Sequence, residues 1–147
     1  MSRLLPAVAA VLIAVTGCGR SVAVEPLAID DASTAAACGA LIADLPQQLS
    51  AGSAWTVEPD PRSTAAWGSP PVVLRCGDDV PTPAATDQLL VVDGVTWLVR
   101  TLTGGEEFTT VGLAPGVMVI VPSQYTPTAA VLTELGPSVA KHTDASA

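Results

Sequence analysis

Basic side chains are scarce in this chain. Its 147 residues carry six Lys and Arg against fourteen Asp and Glu, a formal net charge of −8, and Lys141 is its single lysine. A nucleic-acid binder needs a positive footprint that releases counterions from phosphates, so that class is excluded. An acidic domain is also repelled from an anionic lipid surface unless something covalent holds it there. Histidine is scarcer still: His142 stands alone, close to the C-terminal end in KHTDASA. Nucleophilic catalysis needs a base beside the nucleophile, and that placement argues against a Ser/His or Cys/His site. No G-x-S-x-G, P-loop or H-E-x-x-H motif occurs. Aromatics are few (three Trp, one Tyr, one Phe), although 49% hydrophobic residues suffice for the core of one domain. After the N-terminal apolar run no second hydrophobic span follows.

That run is LLPAVAAVLIAV, residues 4–15, preceded by the short positive segment MSR. It has the length of a signal-peptide h-region and falls short of the roughly 20 residues a spanning helix needs. VTGC follows at residues 15–18 and resembles the lipobox of bacterial lipoproteins. The resemblance implies that residues 1–17 are a lipoprotein signal peptide, cut before Cys18. It also implies that the Cys18 thiol carries a diacylglyceryl group, with a further acyl chain such as palmitate on the new N-terminus. More than one chain is needed for stable anchoring. The expected location is therefore the outer face of the cytoplasmic membrane, with the lipid anchor as the membrane contact. Cleavage would leave five basic and fourteen acidic residues, a charge of −9. Residues 18–33 show no strong period and read as a tether that lets the domain stand off the bilayer.

Three cysteines are an odd number; with Cys18 assigned, Cys38 and Cys76 remain. Outside the cytoplasm two such residues in one domain are expected to pair. The bridge would close a loop of about 39 residues, for which chain entropy gives ~4 kcal/mol. Two cysteines without neighbouring histidine make a poor zinc site, and no metal or other cofactor is expected.

The domain proper is expected over residues 34–142, with a disordered tail at 143–147. Cys38, Leu41, Ile42, Leu45 and Leu49 fall at helical spacing behind Ser33 or Thr34 as N-cap; Pro46 interrupts and Gly52 is a stop. VVLRC reads as a strand. Asp93-Gly94 between two apolar runs is the type I′ hairpin signal, pairing Val92 with Val95, Leu90 with Trp97, Leu89 with Leu98 and Asp87 with Arg100. FTTVG and VMVIVP read as further strands. A second helix starts at Thr126-Pro127 and breaks or bends at Gly136-Pro137. The fold class predicted is α+β: an antiparallel sheet of four to five strands, an N-terminal and a C-terminal helix, and one disulfide.

Few residues are candidates for chemistry. Asp78-Asp79 and Glu106-Glu107 are adjacent acids that could serve acid–base work or calcium, but adjacent acids in predicted turns are ordinarily a solvated surface. No catalytic residue is assigned, and the chain is not expected to be an enzyme. Arg75 shares a strand face with Val73. It either snorkels to solvent, pairs with an acid, or binds an anion. Trp67 and Trp97 are the aromatics that could line a ligand pocket beside it; both also suit a core or a loop anchor, as does Trp55.

AAWGSPPVVLRCG at residues 65–77, with Cys38, Leu45-Pro46, the VDGVTW hairpin and VMVIVP, resembles a family of actinobacterial secreted lipoproteins whose function is unknown. The likeness runs over residues 38–140 and is specific in the W-G-x-P-P…L-R-C-G run. It implies an exported or lipid-anchored envelope protein and supplies no catalytic residue or ligand. Two expectations follow. The first is a non-catalytic interaction or structural module of the envelope, with an envelope protein as partner. The second is a binder of a small anionic ligand through Arg75, Trp67 and Trp97.

Overall fold

Asp31 sets the start of the first helix. In the computed structural model, which describes residues 21–146, its backbone is extended and its carboxylate accepts from the Ser33 and Thr34 amides, both at 2.8 Å. Two of the orphan N–H groups of the first turn are satisfied in this way. The cap is thus Asp31, rather than Ser33 or Thr34. In chain order the elements are β1 (Ser21–Val24), α1 (Ala32–Asp44), β2 (Gln48–Leu49), β3 (Gly52–Ser53), β4 (Thr56–Pro59), β5 (Thr64–Trp67), β6 (Val72–Gly77) and β7 (Gln88–Val92). Then come β8 (Val95–Leu102), β9 (Gly105–Thr110), β10 (Leu113–Ala114), β11 (Gly116–Pro122), α2 (Ala130–His142) and β12 (Asp144–Ala145).

β5 to β9 and β11 form one antiparallel sheet of six strands in the order β5-β6-β11-β9-β8-β7. Both helices cover one of its faces, which gives a two-layer α+β domain. The class agrees with the sequence reading, with more strands than the four or five expected. Three small two-stranded sheets are added: β1-β4, β2-β3 and β10-β12. The core lies between sheet and helices, where Leu41, Trp67, Val72, Leu74, Trp97, Phe108, Val119, Leu132 and Leu135 are fully buried.

The hairpin forms in the expected register, Val92 opposite Val95 and Leu89 opposite Leu98, with φ of 49° at Asp93 and 83° at Gly94. Positive φ at both central residues defines the type I′ turn. The register does not extend to Asp87 and Arg100. Arg100 is opposite Glu107 on β9, while Asp87 accepts from the Ala84 amide at 2.8 Å and closes the turn before β7.

Other boundaries also differ from the sequence reading. α1 ends at Asp44, before Pro46, because the residue preceding proline is held out of the helical region and Leu45 is extended at ψ 145°. Leu49 therefore lies on β2 rather than on the helix, and Gly52 on β3. Thr126 does not cap α2. Its hydroxyl donates to the Ser123 carbonyl, and the helix begins at Ala130 after Ala129, with no side-chain cap. Pro137 does not end α2, which runs on to His142. An interior proline costs about 3 kcal/mol. Burying Val131, Leu132, Leu135 and Val139, at roughly 1.5–3 kcal/mol each, outweighs it.

Both ends of the expected domain are more ordered than the sequence suggested. Within the segment read as a tether, Ser21–Val24 pairs in parallel with Thr56–Pro59, and Val24 is buried with Val57 and Ala66. At the other end Asp144 and Ala145 pair with Ala114 and Leu113, so the expected disordered tail holds a strand. Isolated hydrophobic patterning cannot show such short pairings, because their partners are distant in sequence.

Candidate functional site

The residues of the W-G-x-P-P…L-R-C-G run can be taken one at a time. Trp67 ends β5, is fully buried, and donates through Nε1 to the Pro46 carbonyl at 2.8 Å. That bond joins the run to the Leu45-Pro46 segment. Gly68 has φ 76°, and a Cβ there would sit 2.3 Å from the Ala51 carbonyl oxygen and 2.8 Å from the Tyr125 hydroxyl. Only glycine fits that approach without strain. Its own carbonyl accepts from Trp55 Nε1 at 2.6 Å, and the Pro70 carbonyl accepts from the Tyr125 hydroxyl at 2.7 Å. Cys76 is disulfide-bonded to Cys38, which staples β6 to α1. The bridge leaves neither cysteine as a thiolate, so neither can serve as a metal ligand or nucleophile while it is intact. Every one of these contacts is architectural.

Arg75 is the exception within the run. Successive strand residues face opposite sides, so Val72, Leu74 and Cys76 enter the helix-side core while Val73 and Arg75 face outward. Arg75 Nη2 lies 2.8 Å from Met118 Sδ, a weak acceptor on the neighbouring strand β11. Its Nε is buried and has no hydrogen-bond partner among the described residues. Neither the Lys141–Asp44 ion pair nor the His142–Asp44 contact involves it. A cavity of about 200 Å³ opens beside it, lined also by Ala23, Val24, Glu25, Val73 and Ile120.

Trp67 and Trp97 are not brought to Arg75. Both are fully buried on the helix side of the sheet, Trp67 opposite Val72 and Trp97 opposite Leu90, whereas Arg75 is on the other side. The three residues therefore share no pocket, and a ligand site built from all of them is ruled out by strand alternation. Trp55 instead lines a separate surface cleft of about 580 Å³, with Ala51, Gly52, Ser53, Ala54, Thr56, Gly68 and Ser69. Cys18 lies outside the described residues.

The adjacent acids are separated as well. Glu106 and Glu107 lie on β9 rather than in a turn. Glu106 accepts from the Thr128 hydroxyl on the helix side, and Glu107 faces Arg100 and Ile120 on the other. Two carboxylates on opposite faces of a sheet cannot act on one substrate. Asp78 is exposed, as expected of a surface acid, and is also tied into the fold. It accepts from the Asp30 amide at 2.7 Å and the Thr34 hydroxyl at 2.9 Å, tying the end of β6 to the entry of α1. Other carboxylates are likewise committed to structure. The Ser63 hydroxyl and the Arg62 amide hold the pKa of Asp60 below its ordinary value. The Lys141 ammonium and then His142 do the same for Asp44 between the two helices.

Sequence reasoning missed the outward neighbours of Arg75. Taking residues directly opposite one another, a single row crosses all six strands: Thr64, Arg75, Met118, Thr109, Leu98 and Leu89. Thr109 is fully buried, and its Oγ1 has no hydrogen-bond partner among the described residues. Only the Leu89–Leu98 step was legible, from the hairpin; the rest depends on β11 entering between β6 and β9.

A disulfide-stapled two-layer α+β domain whose sequence signature is structural, with one outward arginine short of partners, is the class that fold and site define. The chain belongs to a family described as a protein of unknown function (DUF3515), whose model matches residues 4–147. No curated protein and no solved structure matches it.

Proposed function

We propose that this chain is a lipid-anchored extracytoplasmic envelope protein, attached through Cys18 to the outer face of an actinobacterial cytoplasmic membrane. In this reading it is a non-catalytic interaction or structural module. The observation that carries the reading is the cysteine arithmetic. With Cys38 and Cys76 joined, Cys18 is the one left over, and it stands at the end of the apolar run 4–15 in VTGC. A structural disulfide is at home in an oxidising compartment. The separation of the adjacent acids and the commitment of Asp44, Asp60 and Asp78 to structural contacts favour a module over an enzyme. Intact mass of the membrane-extracted protein tests the anchor: a chain beginning at Cys18 with a lipid adduct supports it, and one that keeps Met1 or starts beyond Cys18 overturns it. Crosslinked capture from the native envelope, with Cys18→Ala as control, tests for a protein partner that depends on anchoring.

A second reading, binding of an anionic ligand, is favoured by the Nε of Arg75, which has no hydrogen-bond partner among the described residues. It no longer includes Trp67 or Trp97. A thermal shift with an anion, lost in Arg75→Gln, would support it.

A further inference from the structure

We propose that β7, the free edge of the six-stranded sheet, pairs antiparallel with β7 of a second copy of this chain about a two-fold axis. The inference goes beyond the envelope reading and holds whether or not Cys18 carries lipid. The two edges of the sheet, β5 and β7, are treated differently. Along β5 the chain covers its own edge: the Trp55 amide donates to the Ala66 carbonyl at 2.9 Å, and the Gly68 amide to the Ser53 carbonyl at 3.2 Å. Along β7 no described residue does so. The hairpin turn makes Val92 and Val95 a hydrogen-bonded pair, so Leu90 and Gln88 also bond to β8 while the N–H and C=O of Leu89 and Val91 point away from it. Thr96, opposite Val91, bears out this alternation, because its carbonyl accepts from the Val111 amide on the β9 side.

An open edge is ordinarily shielded by lysine, proline or a bulge, and Gln88–Val92 has none of them. Leu89 and Val91 are 50% and 65% exposed, two of the three large apolar side chains left exposed among the described residues. The register selects the occupant. With the axis at Leu90, Leu89 stands opposite Val91 of the other copy, so the residues with outward backbone groups on each strand satisfy one another. The same register gathers the exposed leucines and valines of both copies into cross-strand apolar pairs on one face. On the other face Leu90 and Val92 are half-buried whereas Val95 and Trp97 behind them are buried, so the helix layer stops short of the edge and leaves room for a second sheet. At each end Asp87 meets Asp93 of the other copy, a like-charge contact that opposes the pairing until salt screens it.

The test uses the full chain in density-matched detergent, read by sedimentation equilibrium, and a reversible dimer is expected. Raising salt from about 0.1 M to about 1 M shortens the screening length from about 10 Å to about 3 Å and should tighten the dimer several-fold. Asp93→Asn, which suits the same turn, should tighten it at low salt and shrink the salt response. Val91→Glu, at an exposed position where the monomer should keep its melting temperature, should weaken it about tenfold. Oxidation reads the register. Leu90→Cys faces its own copy across the axis with Cα atoms about 4.5 Å apart and should give a disulfide-linked dimer. Leu89→Cys faces Val91 instead and should crosslink far less, as should wild type. A chain that stays monomeric overturns the proposal, as does a dimer unchanged by Val91→Glu or one that crosslinks at position 89 in place of 90. A monomeric chain whose envelope partner is lost on Val91→Glu assigns the edge to another protein and overturns it too.

Discussion

The carboxylate of Asp78 accepts a hydrogen bond from the Thr34 hydroxyl at 2.9 Å across 44 residues of sequence. With its bond to the Asp30 amide, it fixes the entry of α1 against the end of β6, close to the disulfide that joins the same two elements. Asp78→Ala should therefore lower stability by about 0.5–1.5 kcal/mol, the net contribution of such hydrogen bonds where water can reach the freed donors. Asp79→Ala, one residue on and likewise exposed, should stay within ~0.5 kcal/mol of wild type. Urea unfolding of the two variants separates them.

Removing the Cys38–Cys76 bridge acts mainly on the unfolded chain. The separation of 38 residues predicts a loss of ~4 kcal/mol on Cys38→Ser with Cys76→Ser. That is a large share of the 5–15 kcal/mol typical of a domain. The denaturant midpoint measured with and without reductant should show the same loss.

Gly68→Ala asks a residue with a Cβ to adopt φ 76° against the Ala51 carbonyl and the Tyr125 hydroxyl. Backbone strain alone costs about 1–3 kcal/mol, and the backbone contact adds to it. A lowered melting temperature is expected, whereas Gly94→Asn should be nearly neutral, because nothing lies within 4 Å of a Cβ there and Asn tolerates the turn.

Acid should unfold the domain through Asp31, Asp44 and Asp60, all with pKa values held below the ordinary carboxylate value. The causes are hydrogen bonds from Ser33 and Thr34, from Lys141 and His142, and from Ser63 and Arg62 respectively. A depressed folded pKa means that the unfolded chain takes up the proton first. The contribution is thus complete above the unfolded value near 3.9 and is lost as pH falls through the folded one. The urea midpoint should stay flat from neutrality down to about pH 5 and decline below about pH 4. Asp31→Ala should flatten that decline.

Thr109→Val should stabilise the domain by about 1 kcal/mol, because it replaces a buried hydroxyl that has no partner among the described residues by a methyl of the same shape. A melting temperature lower than wild type would show that the hydroxyl is satisfied in solution.

The sequence by itself determined the local structure that chemistry encodes over a few residues. Asp93-Gly94 dictates its hairpin through positive φ, Pro46 limits α1, and the odd cysteine count points to Cys38–Cys76 as the pair. Alternation within VVLRC already placed Arg75 opposite to Leu74 and Cys76. The position of α1's cap was missed by two or three residues, since Asp31, Ser33 and Thr34 can all accept and only the chain's path chooses. Tertiary structure alone decided what Arg75 faces. Strand alternation is a local property, but the order β6-β11-β9-β8 is set by which long-range pairing buries Val117, Val119, Phe108 and Trp97 under the helices. That order carried Trp67 and Trp97 into the core and set Met118, Thr109, Leu98 and Leu89 in line with Arg75, because a sheet's two faces are fixed together once one of them is buried.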